Sequence, residues 1–285
     1  MTILIAILCA VIAVAVYKSS GFKRWRYSKD LTFPEAPKRD LLYGYYSCHD
    51  EQVSETKDHV NLFFESQFQG QDRAIQNILE MSRTTILDLS AQMFTREGHS
   101  GPFTLRDDAL LHVIAFLRRL SDAGALKHVK YLYPIDEPNN TVQDETTLRR
   151  AIALVFEAAS QFIELRGVRL AVIYAADKPN ICQDAYALVG FNDYDMRSHV
   201  LVSDKYKQLK ASLGVGQQIM LIPGGAYGQD PTPFINFANA NAEVGAVVPF
   251  LWFDDHTGSV GSLGIRSNGM KDAYIAAGKS VCATS

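Results

Sequence analysis

From Leu41 to the C-terminus, short apolar runs alternate with longer amphipathic stretches, and the alternation occurs eight times. The runs occupy residues 41–50, 59–68, 84–94, 129–138, 168–177, 187–195, 217–225 and 245–255. After the second run, Ala74, Ile75, Ile78 and Leu79 are spaced for one helical face. After the third, Leu110, Leu111, Ile114, Leu117 and Leu120 form a stripe, with Gly124 as a stop signal. A helix is predicted from about Asp144 to Arg166, ended by Gly167, and a last one around Gly269–Lys279. Most of the runs are apolar almost throughout, as expected of parallel strands covered on both faces. Eight strand–helix units over residues 41–285 have the count and length of a single-domain α/β fold, the (β/α)8 or TIM barrel. A doubly wound open sheet would alternate too. It is disfavoured by the lack of a GxGxxG after the first strand and of a P-loop.

Composition narrows the function classes. With 28 basic and 31 acidic residues and a net charge of -3, the chain has no excess of positive charge for nucleic acid. Its 47% hydrophobic content is enough for a large core, and a mean hydropathy of -0.04 excludes a polytopic membrane protein. The four cysteines show no CxxC, and free buried thiols are the simpler reading, with a Cys48–Cys182 bridge the alternative for an exported domain. The seven histidines are scattered, with no HxH or HExxH, so neither a metal centre nor a cofactor is expected. No GxSxG elbow is present.

TIM barrels place their chemistry at the C-terminal ends of the strands. In this chain those ends are acidic and aromatic. The first run ends in Ser47, His49 and Asp50, and the second contributes Glu65, Ser66 and Gln67. The third contributes Asp88, Ser90 and Gln92, the fourth Asp136 and Glu137, and the fifth Tyr174 and Asp177. The sixth contributes Asn192, Asp193, Tyr194 and Asp195, the seventh Tyr227 beyond a Gly224-Gly225 pair, and the eighth Trp252, Asp254 and Asp255. Carboxyl groups and aromatic rings converging on one mouth suit a carbohydrate. The rings stack on sugar faces and a carboxyl pair does the acid and base work of glycosidic cleavage.

The most specific local feature is Tyr131-Leu132-Tyr133-Pro134-Ile135-Asp136-Glu137-Pro138. It resembles the strand-four end of the (β/α)8 glycoside hydrolases, many of which place a proton-donating Glu there, followed by Pro. The Asp-Glu pair is similar to that of the substrate-assisted β-N-acetylhexosaminidases. That resemblance implies that Glu137 is the general acid/base and that Asp136 orients the substrate's acetamido group. Their common retaining relatives carry a second Glu on strand seven, where this chain has nothing acidic. The partner carboxylate is otherwise sought in Asp193 or Asp195 across the mouth, or in Asp254. The substrate-contact candidates are Glu65, Asp88, Gln92, Tyr194, Asp195, Tyr227, Trp252 and Asp254. Side chains alternate along a strand, so Asp136 and Glu137 share a face only if the strand has ended or bulged there. The expected function is a glycoside hydrolase acting on a polysaccharide or glycoconjugate. The alternative is a non-catalytic glycan-binding barrel in a cell-envelope or surface-assembly complex. Asp144 and Asp204 fit helix caps or solvated turns better than catalysis. Tyr45 and Tyr46 read as barrel filling, and Trp252 equally as core.

Residues 2–17, TILIAILCAVIAVAVY, carry no formal charge. As a helix they would span about 24 Å. Residues 1–17 therefore read as a transmembrane or signal-anchor segment that attaches the protein to a membrane. The basic stretch 18–40, with Lys18, Lys23, Arg24, Arg26 and Lys29, reads as a linker. The charge bias favours a cytoplasmic catalytic domain, whereas a glycan substrate favours the extracytoplasmic side.

Overall fold

The computed structural model describes residues 41–46, 50–67, 70–96, 103–142, 144–175, 178–192, 203–254 and 263–283. Eight parallel strands are β1 (Leu42–Tyr43), β2 (Leu62–Glu65), β3 (Thr84–Asp88), β6 (Val129–Tyr133), β7 (Arg169–Ala175), β8 (Leu188–Asn192), β9 (Gln218–Leu221) and β10 (Val244–Val247). A small antiparallel hairpin, β4 (Phe94–Arg96) and β5 (Phe103–Leu105), is inserted after β3. The strands pair in the order β1-β10-β9-β8-β7-β6-β3-β2, so neighbours in sequence are neighbours in space once the hairpin is set aside. This is the near-closed parallel barrel that the eight runs predict, with strands shorter than the runs because each run includes its exit turn.

Period-two alternation sorts the strand residues into two layers. Leu62, Phe64, Ile86, Tyr131, Tyr133, Ala171, Ile173, Leu188, Met220, Ile222, Ala246 and Val248 form one buried cluster inside the barrel. Large rings from β2 and β6 face small residues on β7, β8 and β10. At Gly190 a Cβ would lie 2.8 Å from the Met220 carbonyl oxygen, so only glycine fits beside that strand. The opposite faces, with Phe63, Leu87, Leu132, Val172, Val189, Leu221 and Val247, pack against the outer helices.

Those helices form where the stripes predict, but Leu79 and Leu111 of the predicted faces turn to solvent, 39% and 68% exposed. Gln71–Met81 buries Ala74 and Ile78, and Ala109–Asp122 buries Val113, Phe116, Leu117 and Leu120. Glu145–Ala159 buries Leu148, Ile152 and Val155, and its N-cap Asp144 accepts from the amides of Thr146 and Thr147. At Asp204–Ser212 the capping side chain is Ser203, so Asp204 is the first helical residue rather than the cap. The fifth unit departs from the pattern. Only the 3-10 turn Gln183–Ala185 lies among the described residues between β7 and β8. Twelve residues interrupted by Pro179 are too few for an amphipathic helix and its two connections.

The two strands at the ends of the pairing order are joined by a side chain. Asn61 donates its backbone N–H to the Tyr43 carbonyl at 3.1 Å. Its Oδ1 accepts from the Tyr43 amide at 2.7 Å and its Nδ2 donates to the Leu41 carbonyl at 3.0 Å. One amide thus supplies the bonds that a strand ladder between β1 and β2 would have made. Gly44 lets the chains come this close, since a Cβ there would sit 2.2 Å from the Leu62 carbonyl oxygen.

The predicted transmembrane helix finds no support: among the described residues no helix is long and apolar enough to cross a membrane. Residues 1–17 and the linker 18–40 lie outside the described residues, as do Cys9 and Cys48. Cys182 and Cys282 are free thiols, and Cys48, the partner of Cys182 in the alternative bridge, lies outside the described residues.

Asn61→Ala leaves the Tyr43 amide and the Leu41 carbonyl without their side-chain partner. The expected loss is about 2–4 kcal/mol in urea unfolding, with an unchanged m-value. A loss below ~0.5 kcal/mol contradicts the bridging role.

Candidate active site

The fourth barrel strand, β6, ends at Tyr133, and the chain then turns sharply. Glu137 has φ 41° and ψ 58°, a left-handed conformation that a residue with a Cβ adopts only at a cost of about 1–3 kcal/mol. The turn is held from several sides. The Glu137 amide donates to the Ile173 carbonyl on β7 at 3.2 Å, and the Asn140 and Thr141 amides both donate to the Glu137 carbonyl at 2.8 Å. Asn139 is buried and acts as a bracket: it accepts from the Ala175 amide at 2.9 Å and donates to the Ala175 carbonyl at 3.0 Å.

Because the strand has ended, alternation no longer separates Asp136 from Glu137. Asp136 Oδ1 accepts from the Tyr133 hydroxyl at 2.6 Å, and Tyr133 belongs to the inner layer. Glu137 Oε1 accepts from Asn192 Nδ2 on β8 at 2.6 Å, and Oε2 accepts from Asn140 Nδ2 at 3.1 Å. The left-handed turn therefore brings both carboxyl groups to the mouth.

A third acid joins them from β3. Asp88 Oδ1 accepts from the Ser90 amide at 2.7 Å and from its hydroxyl at 2.5 Å. Burial raises the Asp88 carboxyl to about 7, helped by the like charge of Asp136 and opposed by Ser90. Burial likewise raises Asp136 to about 6. Glu137 adds to the rise, while hydrogen bonds from Tyr133 and Tyr46 oppose it. Around neutral pH this mouth therefore holds carboxyl groups in both protonation states, which acid–base chemistry requires.

Other predicted site residues are placed elsewhere. Glu65 points outward, 2% exposed, with Oε1 accepting from the Gln67 amide and Oε2 from Asn77 Nδ2 on the helix Gln71–Met81. Alternation puts it on the face opposite Phe64, so a substrate-contact role at the mouth is corrected. Trp252 is fully buried in the outer layer, 4.6 Å from the Tyr45 ring, with Nε1 donating to Glu55 Oε2 at 2.7 Å. It is core, not a sugar platform. Gln92 is buried in a reciprocal amide pair with Gln67 that ties the ends of β2 and β3 together. Asp254 closes its own loop, accepting from the Gly264 amide and the Ser267 hydroxyl at 2.7 Å each. Tyr227, just past β9, is 48% exposed. Asp193, Tyr194 and Asp195 lie outside the described residues.

Two residues outside the catalytic and substrate-contact candidates meet these acids. Tyr46 packs on Phe64 at 5.1 Å and on Phe250 at 5.6 Å in the inner layer, as barrel filling predicts, and it also bonds Asp136 at the mouth. Asn192 holds Glu137. Both lie on the inward alternation of their strands, Leu42-Gly44-Tyr46 and Leu188-Gly190-Asn192, and that signal was available to find them. Among the described residues no group of three or more His, Cys, Asp or Glu side chains is arranged to hold a metal ion.

No family profile matches the chain, and no curated protein does. Solved structures match its fold. A GH2 β-galacturonidase from Eisenbergiella tayi bound to galacturonate aligns with a TM-score of 0.61 at 9% identity, over 85% of this chain and 52% of that one. Saccharomyces cerevisiae Gas2p, in complex with laminaritetraose and laminaripentaose, aligns with a TM-score of 0.56 at 10% identity, over 84% and 63%. The Ruminococcus gnavus β-glucuronidase aligns with a TM-score of 0.50 at 12% identity, over 74% and 43%. The chain thus spans less than two thirds of each neighbour. At these identities the likeness establishes the fold, a barrel that these glycosidases also use.

Proposed function

We propose that this protein is a glycoside hydrolase acting on a polysaccharide or glycoconjugate, with Glu137 as the proton donor. The observation that carries the reading is the Glu137 carboxyl itself. It sits in a strained left-handed turn at the barrel mouth, oriented by amides from two elements. Strain of this kind persists where surrounding structure over-determines it, and it clusters at reactive sites. The neighbours' bound galacturonate and laminari-oligosaccharides support a carbohydrate ligand for a barrel of this fold.

In this reading Glu137 gives its proton to the leaving oxygen as the glycosidic C–O bond breaks and the bonding pair moves to that oxygen. In the substrate-assisted variant, the carbonyl oxygen of the sugar's own acetamido group bonds the anomeric carbon. Glu137 then takes a proton from the water that displaces it. Asp136, fixed by the Tyr133 and Tyr46 hydroxyls, is the group that would orient that acetamido nitrogen. The non-catalytic glycan-binding alternative is favoured by one feature: β9 leads into Ile222-Pro223-Gly224-Gly225, with no carboxylate opposite Glu137. Chromogenic glycosides measured beside ligand binding separate the two readings.

Glu137→Gln keeps the shape and removes the transferable proton. Turnover is expected to fall by about 10²–10⁴-fold with an unchanged melting temperature. Activity within twofold of the wild type removes Glu137 from the mechanism.

The acid pair adds a pH dependence. Asp88 and Asp136 titrate near 7 and 6 in the folded protein, against ~3.9 for an unfolded Asp. Between about pH 4 and 7 the folded state therefore binds more protons than the unfolded one, and stability falls as pH rises through that window. Asp88→Asn keeps Oδ1 for Ser90 and cannot ionise. It is expected to match the wild type at pH 4 and to exceed it by about 1 kcal/mol or more at pH 8 in denaturant titrations. Equal pH profiles for the two proteins contradict the assignment.

A further inference from the structure

Asn192 is only half satisfied. Its side chain is buried at 7% exposure on the inward line of β8, after Leu188 and Gly190. Nδ2 donates to Glu137 Oε1 at 2.6 Å. With the Glu137 carboxyl ionised or carrying its proton on Oε2, Oε1 only accepts, so the amide nitrogen faces Glu137 and the oxygen faces away. That oxygen, Oδ1, is buried and has no hydrogen-bond partner.

Asn139, at the same mouth, shows the contrast. Its oxygen accepts from the Ala175 amide, and its nitrogen serves the Ala175 and Lys178 carbonyls at 3.0 and 3.2 Å. Asn139 is spent on holding backbone, whereas Asn192 keeps an acceptor unused. An unmet buried acceptor is destabilising, and a ligand that donates to it recovers that cost. The lone pairs in question belong to the same amide that positions Glu137, so the donor they take lies close to the group Glu137 protonates.

We propose that Asn192 is the ligand-recognising residue of this mouth: while Nδ2 holds Glu137, Oδ1 accepts a hydrogen bond from a free hydroxyl on the sugar ring that carries the scissile bond. This rests on the reading of Glu137 as the proton donor to a glycoside. It adds that the sugar bound there keeps that one hydroxyl unsubstituted and presents it as a donor. A ring deoxygenated at that carbon leaves the acceptor stranded, and so does one alkylated on that oxygen. A site built around a hydrogen bond rejects such analogues more sharply than an apolar pocket rejects a missing methylene.

The test uses the full chain and the methyl β-glycosides of the common hexoses, hexuronic acids and N-acetylhexosamines, with binding read by titration calorimetry. The tightest binder is then compared with its own monodeoxy forms on the wild type, Asn192→Ala and Asn192→Asp, after a thermal melt has shown each variant folded. On the wild type, one monodeoxy form is expected to bind about tenfold or more weaker than its parent. On Asn192→Ala that form and its parent bind equally. Asn192→Asp, which keeps an acceptor oxygen, retains the discrimination. Monodeoxy losses of the same size on the wild type and on Asn192→Ala overturn the proposal. If that result accompanies an inactive Glu137→Gln, the assignment of Asn192 alone falls. If no glycoside in the panel binds, the carbohydrate reading falls with it.

Discussion

A parallel sheet buried on both faces has no edge that water can serve, and this constraint governs the rest of the molecule. Each strand of the barrel hides one side chain from its neighbour inside and the next against a helix, so its backbone groups must find partners in the ring. Seven of the joints are ordinary ladders. At the eighth, β1 is only two residues long, and the Asn61 amide stands in for the missing ladder. Gly44 makes the approach possible by offering no Cβ to the Leu62 carbonyl. Closing the ring in this way brings Tyr46, just past β1, within reach of Phe64 from β2 and of Asp136 from β6.

The mouth of the ring departs from the rule that polar groups are satisfied and acids are solvated. Asp88 and Asp136 are held where burial resists their ionisation, Glu137 is in a left-handed turn, and Asn192 leaves an acceptor unmet. Each feature alone costs stability. All four gather at the C-terminal end of the barrel, supplied by β3, β8 and the turn beyond β6. The opposite end carries fewer of them, with Ser82 before β3 in a left-handed conformation at φ 48°. There Arg169 donates to the Tyr131 hydroxyl at 2.9 Å and stacks on its ring, so the inner aromatic residue is satisfied. Several such costs thus converge on the acids at the mouth, where a ligand can relieve them.

How far the site was legible depended on which periodicity applied. Inward alternation along LLYGYY and LVGFN is enough to put Tyr46 and Asn192 at the mouth and to turn Glu65 away from it, because strand pleating is a local property. Asp136 and Glu137 defeated the same rule. Their shared face depends on where β6 stops and on a backbone angle at Glu137 that the chain adopts only under contacts from β7. Trp252 illustrates the opposite failure. An aromatic residue just past a strand reads as a ligand platform, yet Glu55 and Tyr45, remote in sequence, supply the indole with a partner and a stacking surface in the outer layer.

The alternation of apolar runs and helical stripes was sufficient for the barrel, its strand count and the end at which acids collect, because burial patterns follow from local periodicity and need no knowledge of distant contacts. Which acids meet was a different matter. The pairing of Asp88 with Asp136, the grip of Asn192 on Glu137 and the bridge through Asn61 join residues from different strands. Their distances exist only once the ring has closed, since each is set by strand register and by a turn that no neighbouring residue dictates.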